Sequence, residues 1–225
     1  MSTLSHGLEA VRARIAAACQ RSGRPPDAVT LIGVSKRQPS GAIVEGHSLG
    51  LRDFGENYAQ ELRDKARELS ALEGLRWHAI GPLQLNKVRY VAAVAHAFHA
   101  LDRLDLAEAL SHRRTGAPLE VFLGVNLGGE ASKSGVAPEA LGPLLEGVRA
   151  LPGLRPVGLM ALPPLARSPE DSRPHFRRLR ELARTLGLPG LSMGTTADFE
   201  VAIEEGATHV RVGTAIFGDR PARHA

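Results

Sequence analysis

A lysine stands at the end of an apolar run that has the composition of a buried strand. Residues 29–34 read Val-Thr-Leu-Ile-Gly-Val, and Lys36 follows after Ser35. Partial desolvation at the carboxyl end of such a strand favours the neutral amine over the ammonium. A neutral lysine forms Schiff bases with aldehydes. A lysine that extends its ammonium to solvent or pairs with a carboxylate fits the same position equally well.

Two later junctions combine glycine with threonine hydroxyls. Thr195 and Thr196 precede a predicted helix, and Gly213 and Thr214 follow a predicted strand. Unpaired N–H groups and the dipole at a helix start favour an anion, and glycine lets the backbone approach it closely. The two junctions therefore predict a phosphate-binding cup.

Two acidic residues count against this cup. Asp198 and Glu200 lie in the first turn of the helix that follows Thr196, and they would repel a phosphate unless they point away. Thr196 as a plain N-cap, and the glycine-threonine pair as a plain turn, are the alternative interpretations.

An aldehyde-seeking amine and a phosphate cup suggest a single ligand. Pyridoxal 5′-phosphate carries an aldehyde and a phosphate on opposite sides of one ring. In a closed barrel of eight strands the last strand pairs with the first, which brings Lys36 close to Gly213 and Thr214. Arg211, two residues before Gly213, could then reach the pyridine nitrogen.

Other polar residues follow the predicted strands or lie within them. Asn57 follows the second strand and either offers a donor and an acceptor to a ligand or caps the next helix. His78 lies within the third strand, where a satisfied core residue is the commoner interpretation. His96 and His99 are interpreted as structural, and the spacing of His and Cys predicts no metal site. Lys133 lies in a polar loop that is interpreted either as a lid with a second basic contact or as an ordinary exposed loop.

Alternating strand and helix patterns must position these residues. Leu8, Val11, Ile15 and Ala18 mark an amphipathic first helix. Eight short β-rich runs follow, separated by mostly helical stretches, which is the α/β pattern of a single (β/α)8 TIM barrel with an extra N-terminal helix. A doubly wound open sheet is the alternative, although no glycine-rich nucleotide-binding motif follows the first strand. The predicted strands are residues 29–34, 51–54, 76–80, 97–101, 119–125, 155–159, 190–193 and 208–212.

Length and composition limit the class of protein. The chain has 225 residues, of which 43% are hydrophobic, and this fits one globular domain over residues 1–225. The single cysteine, Cys19, indicates a small buried side chain and a reducing, cytoplasmic compartment. No apolar run reaches the length of a membrane span, and aromatic residues make up only 4% of the chain, so few rings could stack on bases. We therefore expect neither membrane nor nucleic-acid binding.

Arginine carries most of the positive charge. It supplies 24 of the 28 basic side chains, and the net charge is +4. Five arginines between residues 173 and 184 are interpreted as a solvated helix face, with an acidic protein partner as the alternative.

Six longer motifs stand in a fixed order along the chain. They are LIGVSK at 31–36, FGENY at 54–58, WHAIGPLQ at 77–84, SKSG at 132–135, GLM at 158–160 and VRVGTAIFG at 210–218. In this order they resemble the pyridoxal phosphate homeostasis protein family, which is similar to the N-terminal domain of alanine racemases. The resemblance covers nearly the whole chain.

This resemblance implies a fold-type III barrel that holds pyridoxal 5′-phosphate as an internal aldimine on Lys36. Thr196 lies where the family usually has a phosphate-binding serine, and Gly213 and Thr214 match its other phosphate contacts. The family's usual Gly-Met-Ser-x-Asp is Gly-Thr-Thr-Ala-Asp at residues 194–198 here. Because threonine keeps the hydroxyl, we expect phosphate binding to survive the change. Arg211 matches the residue near the ring nitrogen, and the residues that match those lining the cofactor pocket are Asn57 and His78.

The resemblance also implies a function. An arginine at the ring nitrogen disfavours its protonation, which weakens the ring as an electron sink. Racemases of this barrel type carry a second, β-rich domain that supplies a catalytic tyrosine, and we expect no such domain to follow the barrel here. The implied protein is a monomer that buffers and delivers pyridoxal phosphate without robust catalysis and makes transient contact with pyridoxal-phosphate-dependent apo-enzymes. The alternatives are an amino-acid racemase of low activity, with Lys36 as its catalytic residue, and an interaction scaffold built on the arginine-rich helix.

Overall fold

Eight parallel strands close into a barrel in the order in which they occur along the chain. A computed structural model describes residues 2–128, 134–164 and 167–218. Each of the eight predicted runs overlaps one observed strand, and the closed barrel confirms the predicted fold class. The strands are β1 (Thr30–Val34), β2 (Asp53–Glu56), β3 (Arg76–Ala79), β4 (Ala97–Leu101), β5 (Leu119–Gly124), β6 (Leu154–Met160), β7 (Gly190–Thr195) and β8 (His209–Val212).

Helices separate consecutive strands and form the outer layer of the barrel. Short 3-10 turns precede several strands and helices, and three of these turns begin with proline, where the missing N–H costs little. The helices are α1 (Thr3–Arg21), α2 (Ser40–Ser48), α3 (Ala59–Glu68), α4 (Val88–Val94), α5 (Leu104–Arg113), α6 (Leu141–Arg149), α7 (Arg173–Thr185), α8 (Phe199–Glu204) and α9 (Thr214–Phe217).

The extra helix α1 packs on the outside of the barrel against α8 and α9. Its apolar stripe, which includes Leu8, Val11 and Ile15, is buried, as the spacing of these residues predicts. Cys19 lies on the same stripe and is fully buried, and burial raises the pKa of its thiol. Within the described part of the chain, no helix is both long enough and apolar enough to cross a membrane.

The register of barrel closure decides which strand ends meet. In the pairing of β1 with β8, Ile32 lies opposite Arg211, and in the pairing of β7 with β8, Thr195 lies opposite Arg211. The carboxyl ends of β7, β8 and β1 are therefore neighbours. These are the strands that precede the predicted phosphate cup and the predicted Schiff-base lysine.

Candidate functional site

Lys36 lies directly beyond β1, at the carboxyl-terminal mouth of the barrel, and its side chain is half-buried. Gly213, at the end of β8, packs against the same strand end. A Cβ atom added to Gly213 would lie 3.4 Å from the carbonyl oxygen of Val34. The segment that carries the predicted phosphate cup is therefore adjacent to the strand that carries Lys36.

Polar groups of the predicted phosphate cup converge on one hydroxyl. The backbone N–H of Gly213 donates to Thr196 Oγ1 at 3.3 Å, and the Thr214 hydroxyl donates to the same oxygen at 3.4 Å. Both contacts are long for hydrogen bonds, so these donors can turn to a stronger acceptor at little cost. Thr196 does not cap α8, because Asp198 occupies the N-cap position. This donor set fits a phosphate group.

The two acidic residues beside the cup have hydrogen-bond or ion-pair partners of their own. Asp198 Oδ1 accepts a hydrogen bond from the backbone N–H of Thr195 at 2.7 Å, and its Oδ2 accepts one from the Ser172 hydroxyl at 2.9 Å. Glu200 pairs with Arg14 on α1 at 2.7 Å. The pair with Arg14 answers the objection for Glu200, whereas Asp198 bonds to Thr195 of the cup itself and keeps its negative charge there.

Arg211 lies inside the barrel below the cup and is only 5% exposed. Its Nη1 donates to Ser192 Oγ at 2.5 Å, and its Nη2 donates to the carbonyl oxygen of Ala161 at 3.2 Å. Burial lowers the pKa of Arg211 to about 10, so the guanidinium stays charged at neutral pH. Among the described residues, no carboxylate forms an ion pair with it.

Charged side chains form hydrogen bonds with the residues on both sides of Lys36. The Ser35 hydroxyl donates to Glu56 Oε1 at 2.6 Å, and the Lys65 ammonium donates to the Ser35 carbonyl oxygen at 2.8 Å. The backbone N–H of Arg37 donates to Glu61 Oε1 at 2.6 Å. Arg37 has a φ of 62°, in the left-handed region that side chains other than glycine rarely adopt. The turn that carries Lys36 is therefore held in one unusual conformation.

His78 lies in the barrel interior and is 4% exposed. Its Nε2 lies 2.8 Å from Asp53 Oδ1, and its Nδ1 lies 2.9 Å from His99 Nε2. His99 Nδ1 in turn lies 2.8 Å from Ser192 Oγ. The structure thus connects His78 to Arg211 through His99 and Ser192. Within the described residues, no group of three or more His, Cys, Asp or Glu side chains is arranged to hold a metal ion.

Asn57 follows β2 at the mouth and is half-buried. It does not cap α3, because Tyr58 occupies the N-cap position. Gly81 packs directly on its backbone: a Cβ atom added there would lie 2.3 Å from the Asn57 carbonyl oxygen. Lys133, the other polar candidate from the sequence, lies outside the described residues.

An apolar cavity of about 330 Å³ opens at the same mouth, over the ends of β3 to β6. Its lining comes from β3 to β6 and the segments that follow them, and none of the predicted cofactor-binding residues is among the described residues that line it. Its lining includes Ile80, Ala100, Val125, Met160 and Pro163.

The arginine-rich helix α7 is tied to its neighbour α8. Arg173 pairs with Glu204 and Glu205, and Arg177 and Arg180 also pair with Glu205. These ion pairs agree with the interpretation of a helix face rather than with a surface reserved for an acidic partner.

Comparison with known proteins gives a consistent assignment. The family model described as alanine racemase, N-terminal domain, matches residues 7–221. The chain is 50% identical over 224 residues to a pyridoxal phosphate homeostasis protein of Pseudomonas aeruginosa, covering 98% of this chain and 97% of that protein. It is 46% identical over 221 residues to the protein of the same name from Aquifex aeolicus, covering 95% and 96% of the two chains.

Solved structures are similar over the same range. PipY of Synechococcus elongatus, solved with PLP bound, is 36% identical with a TM-score of 0.80, and the match covers 92% of this chain and 100% of that one. An alanine racemase from Corynebacterium glutamicum, 20% identical with a TM-score of 0.65, matches 97% of this chain and 62% of its own. This second likeness concerns the fold alone.

Proposed function

The chain belongs to the pyridoxal phosphate homeostasis protein family, and from this premise we propose that it binds pyridoxal 5′-phosphate at the barrel mouth and holds it for release to other proteins. The observation that carries the proposal is the cluster of Thr196, Gly213 and Thr214 beside the end of β1, which is followed by Lys36. The relatives named for pyridoxal phosphate homeostasis, and PipY with PLP bound, support the same ligand.

The cup would hold the phosphate. Two hydroxyls and one backbone N–H can donate to its oxygens, and the neighbouring carboxylates have partners of their own. Hydrogen bonds to an anion are about twice as strong as neutral ones, so the long contacts among these donors would give way to the ligand.

Lys36 would form a Schiff base with the aldehyde of the cofactor. When bound, pyridoxal phosphate supplies an aldehyde that condenses with amines and a ring that withdraws electrons. The bond of Glu56 with the Ser35 side chain, and those of Glu61 and Lys65 with the flanking backbone, would keep the Lys36 amine directed at one place. Such preorganisation favours binding because less side-chain entropy is lost.

Arg211 would donate a hydrogen bond to the ring nitrogen. A permanently charged donor at that nitrogen keeps it an acceptor and weakens the ring as an electron sink. A protein that needs only to store the cofactor has no use for a strong electron sink, and this favours storage over amino-acid chemistry.

Asn57 and His78 complete the proposed set of cofactor-binding residues. Asn57 has a half-buried amide at the mouth, where it could contact a polar ring substituent. His78 would act through its connection to Arg211. We also propose that the protein works as a cytoplasmic monomer and passes the cofactor to pyridoxal-phosphate-dependent apo-enzymes during transient contacts.

Absorption spectroscopy tests the proposal directly. Purified protein with added pyridoxal phosphate should develop an imine band that borohydride removes, and mass spectrometry should then locate the reduced cofactor on Lys36. Lys36→Ala should abolish the band, whereas Lys87→Ala, at the lysine that ends the 3-10 turn Leu85–Lys87, should leave it intact. Equal spectra for wild type and Lys36→Ala would refute the Schiff-base assignment.

Turnover and transfer separate storage from catalysis. Chiral analysis of a broad panel of amino acids should detect no racemisation near ordinary enzymatic rates of about 1–1000 s⁻¹. Loaded protein mixed with an apo-aminotransferase should restore the activity of that enzyme. Efficient racemisation by the wild-type protein would favour the racemase alternative.

A further inference from the structure

Five polar side chains form a continuous row through the barrel interior, where apolar side chains are the rule. Consecutive members lie within hydrogen-bond distance: 2.8 Å from Asp53 to His78, 2.9 Å to His99, 2.8 Å to Ser192 and 2.5 Å to Arg211. They come from β2, β3, β4, β7 and β8. Such a row is costly to bury unless every member is satisfied.

The two ends of the row fix the direction of every hydrogen bond. Arg211 can only donate, so Ser192 Oγ accepts from it. Burial alone would raise the pKa of Asp53, but hydrogen bonds from His78 and Arg76 outweigh it and lower that pKa. Asp53 is therefore an ionised acceptor, and His78 carries a hydrogen on Nε2.

The middle of the row follows from these ends. Because Ser192 Oγ accepts from Arg211, its hydroxyl hydrogen is free for His99 Nδ1, so His99 carries its hydrogen on Nε2 and donates it to Nδ1 of His78. His99 then presents a bare Nδ1, which accepts from the Ser192 hydroxyl. Burial lowers the pKa of His99 well below its ordinary value, in agreement with a neutral ring. All hydrogen bonds point from Arg211 towards Asp53, and each member has its partners.

The opposite direction leaves a hydroxyl group unsatisfied. His99 would donate to Ser192 from Nδ1, so Ser192 Oγ would accept from both His99 and Arg211. The Ser192 hydroxyl hydrogen would then have no acceptor among the described residues. A buried polar group without a partner costs about 1–3 kcal/mol, so the first direction prevails.

We propose that Asp53, His78, His99 and Ser192 act as a one-way hydrogen-bond chain that positions Arg211 and, through it, sets the polarity of the bound cofactor ring. The proposal rests on the function proposed above for Arg211. Ser192 and the carbonyl oxygen of Ala161 fix two points of the guanidinium plane, which leaves its other N–H groups for the ligand. The aligned bonds also connect the buried guanidinium to the carboxylate of Asp53, which lies at the other end of the row.

His209 provides a matched control within the same cluster of rings. Its ring lies 5.9 Å from His99 and 5.0 Å from Phe122, and its Nδ1 lies 2.9 Å from the Thr208 hydroxyl. It takes no part in the row. His99 stacks on Phe122 at 4.3 Å, so a phenylalanine at either histidine position keeps ring contacts and removes hydrogen bonds.

The direction of the chain can be measured without the cofactor. Long-range proton–nitrogen NMR of cofactor-free protein at about pH 8 should show His78 and His99 as neutral rings with the hydrogen on Nε2. A hydrogen on Nδ1 of His99 would overturn the assignment. This readout does not depend on whether the protein binds pyridoxal phosphate.

The positioning role is tested on the loaded protein. His99→Phe should weaken pyridoxal phosphate binding about tenfold, the size expected for one lost hydrogen bond to a charged group, and should shift the absorption band of the bound cofactor. His209→Phe should do neither. His99→Gln, whose amide can donate and accept, should recover part of both effects. A role in stability alone would lower the unfolding midpoint of His99→Phe and leave its absorption band unmoved.

The outcomes distinguish this inference from the proposed function. If wild type forms no complex with pyridoxal phosphate, the proposed function fails, and the NMR result still decides the direction of the chain. If wild type binds and His99→Phe matches His209→Phe in affinity and band position, the positioning role is refuted. If His99→Phe does not fold, Ser192→Ala makes the same measurement one link closer to Arg211.

Discussion

The ammonium of Lys65 donates a hydrogen bond to the carbonyl oxygen of Ser35 at 2.8 Å, one residue before Lys36. The same ammonium pairs with Glu56 at 2.8 Å and with Glu61 at 2.7 Å, and Lys65 is only 7% exposed. One buried cation therefore pairs with two carboxylates and holds the backbone that carries the proposed Schiff-base lysine.

Lys65→Met should destabilise the protein strongly. The change leaves the buried Glu56 carboxylate without its cation, and removing one partner of a buried pair costs about 3–5 kcal/mol. Urea unfolding measures the loss. Lys87→Met is the control, since no ion pair of Lys87 occurs within the described residues, and it should change the unfolding free energy by less than about 0.5 kcal/mol. Equal losses in the two variants would contradict the role given to Lys65.

The fold and the mouth of the site could be predicted because their signals are local. Alternating strand and helix patterns predict the barrel, and chemistry is expected at the carboxyl ends of barrel strands. Lys36, Thr196 and Gly213 each follow a predicted strand within a few residues, so their position at the mouth required only the strand boundaries.

The interior of the site could not be predicted because it depends on which side chains face inward across the closed sheet. Ser192 and His99 are separated by 93 residues and meet only through the barrel interior. The sequence interpretation of His99 as structural, which rests on its place near the start of a predicted strand, gives no sign of this contact. The ion pair between Lys65 and Glu61 could have been predicted, because Lys65 follows Glu61 by four residues on one helix, and this is the spacing of an ion pair.

Gly81→Ala tests the close approach between Gly81 and Asn57. The added methyl group would lie 2.3 Å from the Asn57 carbonyl oxygen, so the backbone must move, at a cost of about 1–3 kcal/mol. Displacement of Asn57 should also weaken pyridoxal phosphate binding. Gly41→Ala is the control, because nothing lies within 4 Å of its added Cβ atom, and it should leave stability equal or slightly higher. Thermal unfolding measures the stability, and a titration with pyridoxal phosphate measures the affinity. If Gly81→Ala kept the stability and the affinity of the wild type, the close approach of Gly81 to Asn57 would be wrong.

Thr196→Val should weaken pyridoxal phosphate binding about tenfold, because the isosteric side chain keeps the volume and removes the hydroxyl that faces Gly213 and Thr214. Thr196→Ser keeps the hydroxyl and should bind like the wild type. Binding of pyridoxal, which lacks the phosphate, should be the same in all three proteins. If Thr196→Val lost pyridoxal and pyridoxal phosphate equally, the hydroxyl would serve the ring or the fold rather than the phosphate.

The part-buried ring of His209 should make the protein lose stability as the pH falls from about 6.5 to 4. Burial lowers the pKa of His209 to about 4, whereas a histidine in the unfolded chain titrates near 6.5. Between these values only the unfolded chain binds the proton, so the stability present above pH 6.5 declines by an amount of the order of 3 kcal/mol by pH 4. His209→Phe removes this contribution, so its unfolding free energy should fall less steeply with decreasing pH than that of the wild type. Urea unfolding at each pH measures this difference. The control variant, His112→Phe, should follow the wild type. If the curves of unfolding free energy against pH were parallel for wild type and His209→Phe, the ring would take up its proton as readily in the folded protein as in the unfolded chain. The lowered pKa would then be wrong.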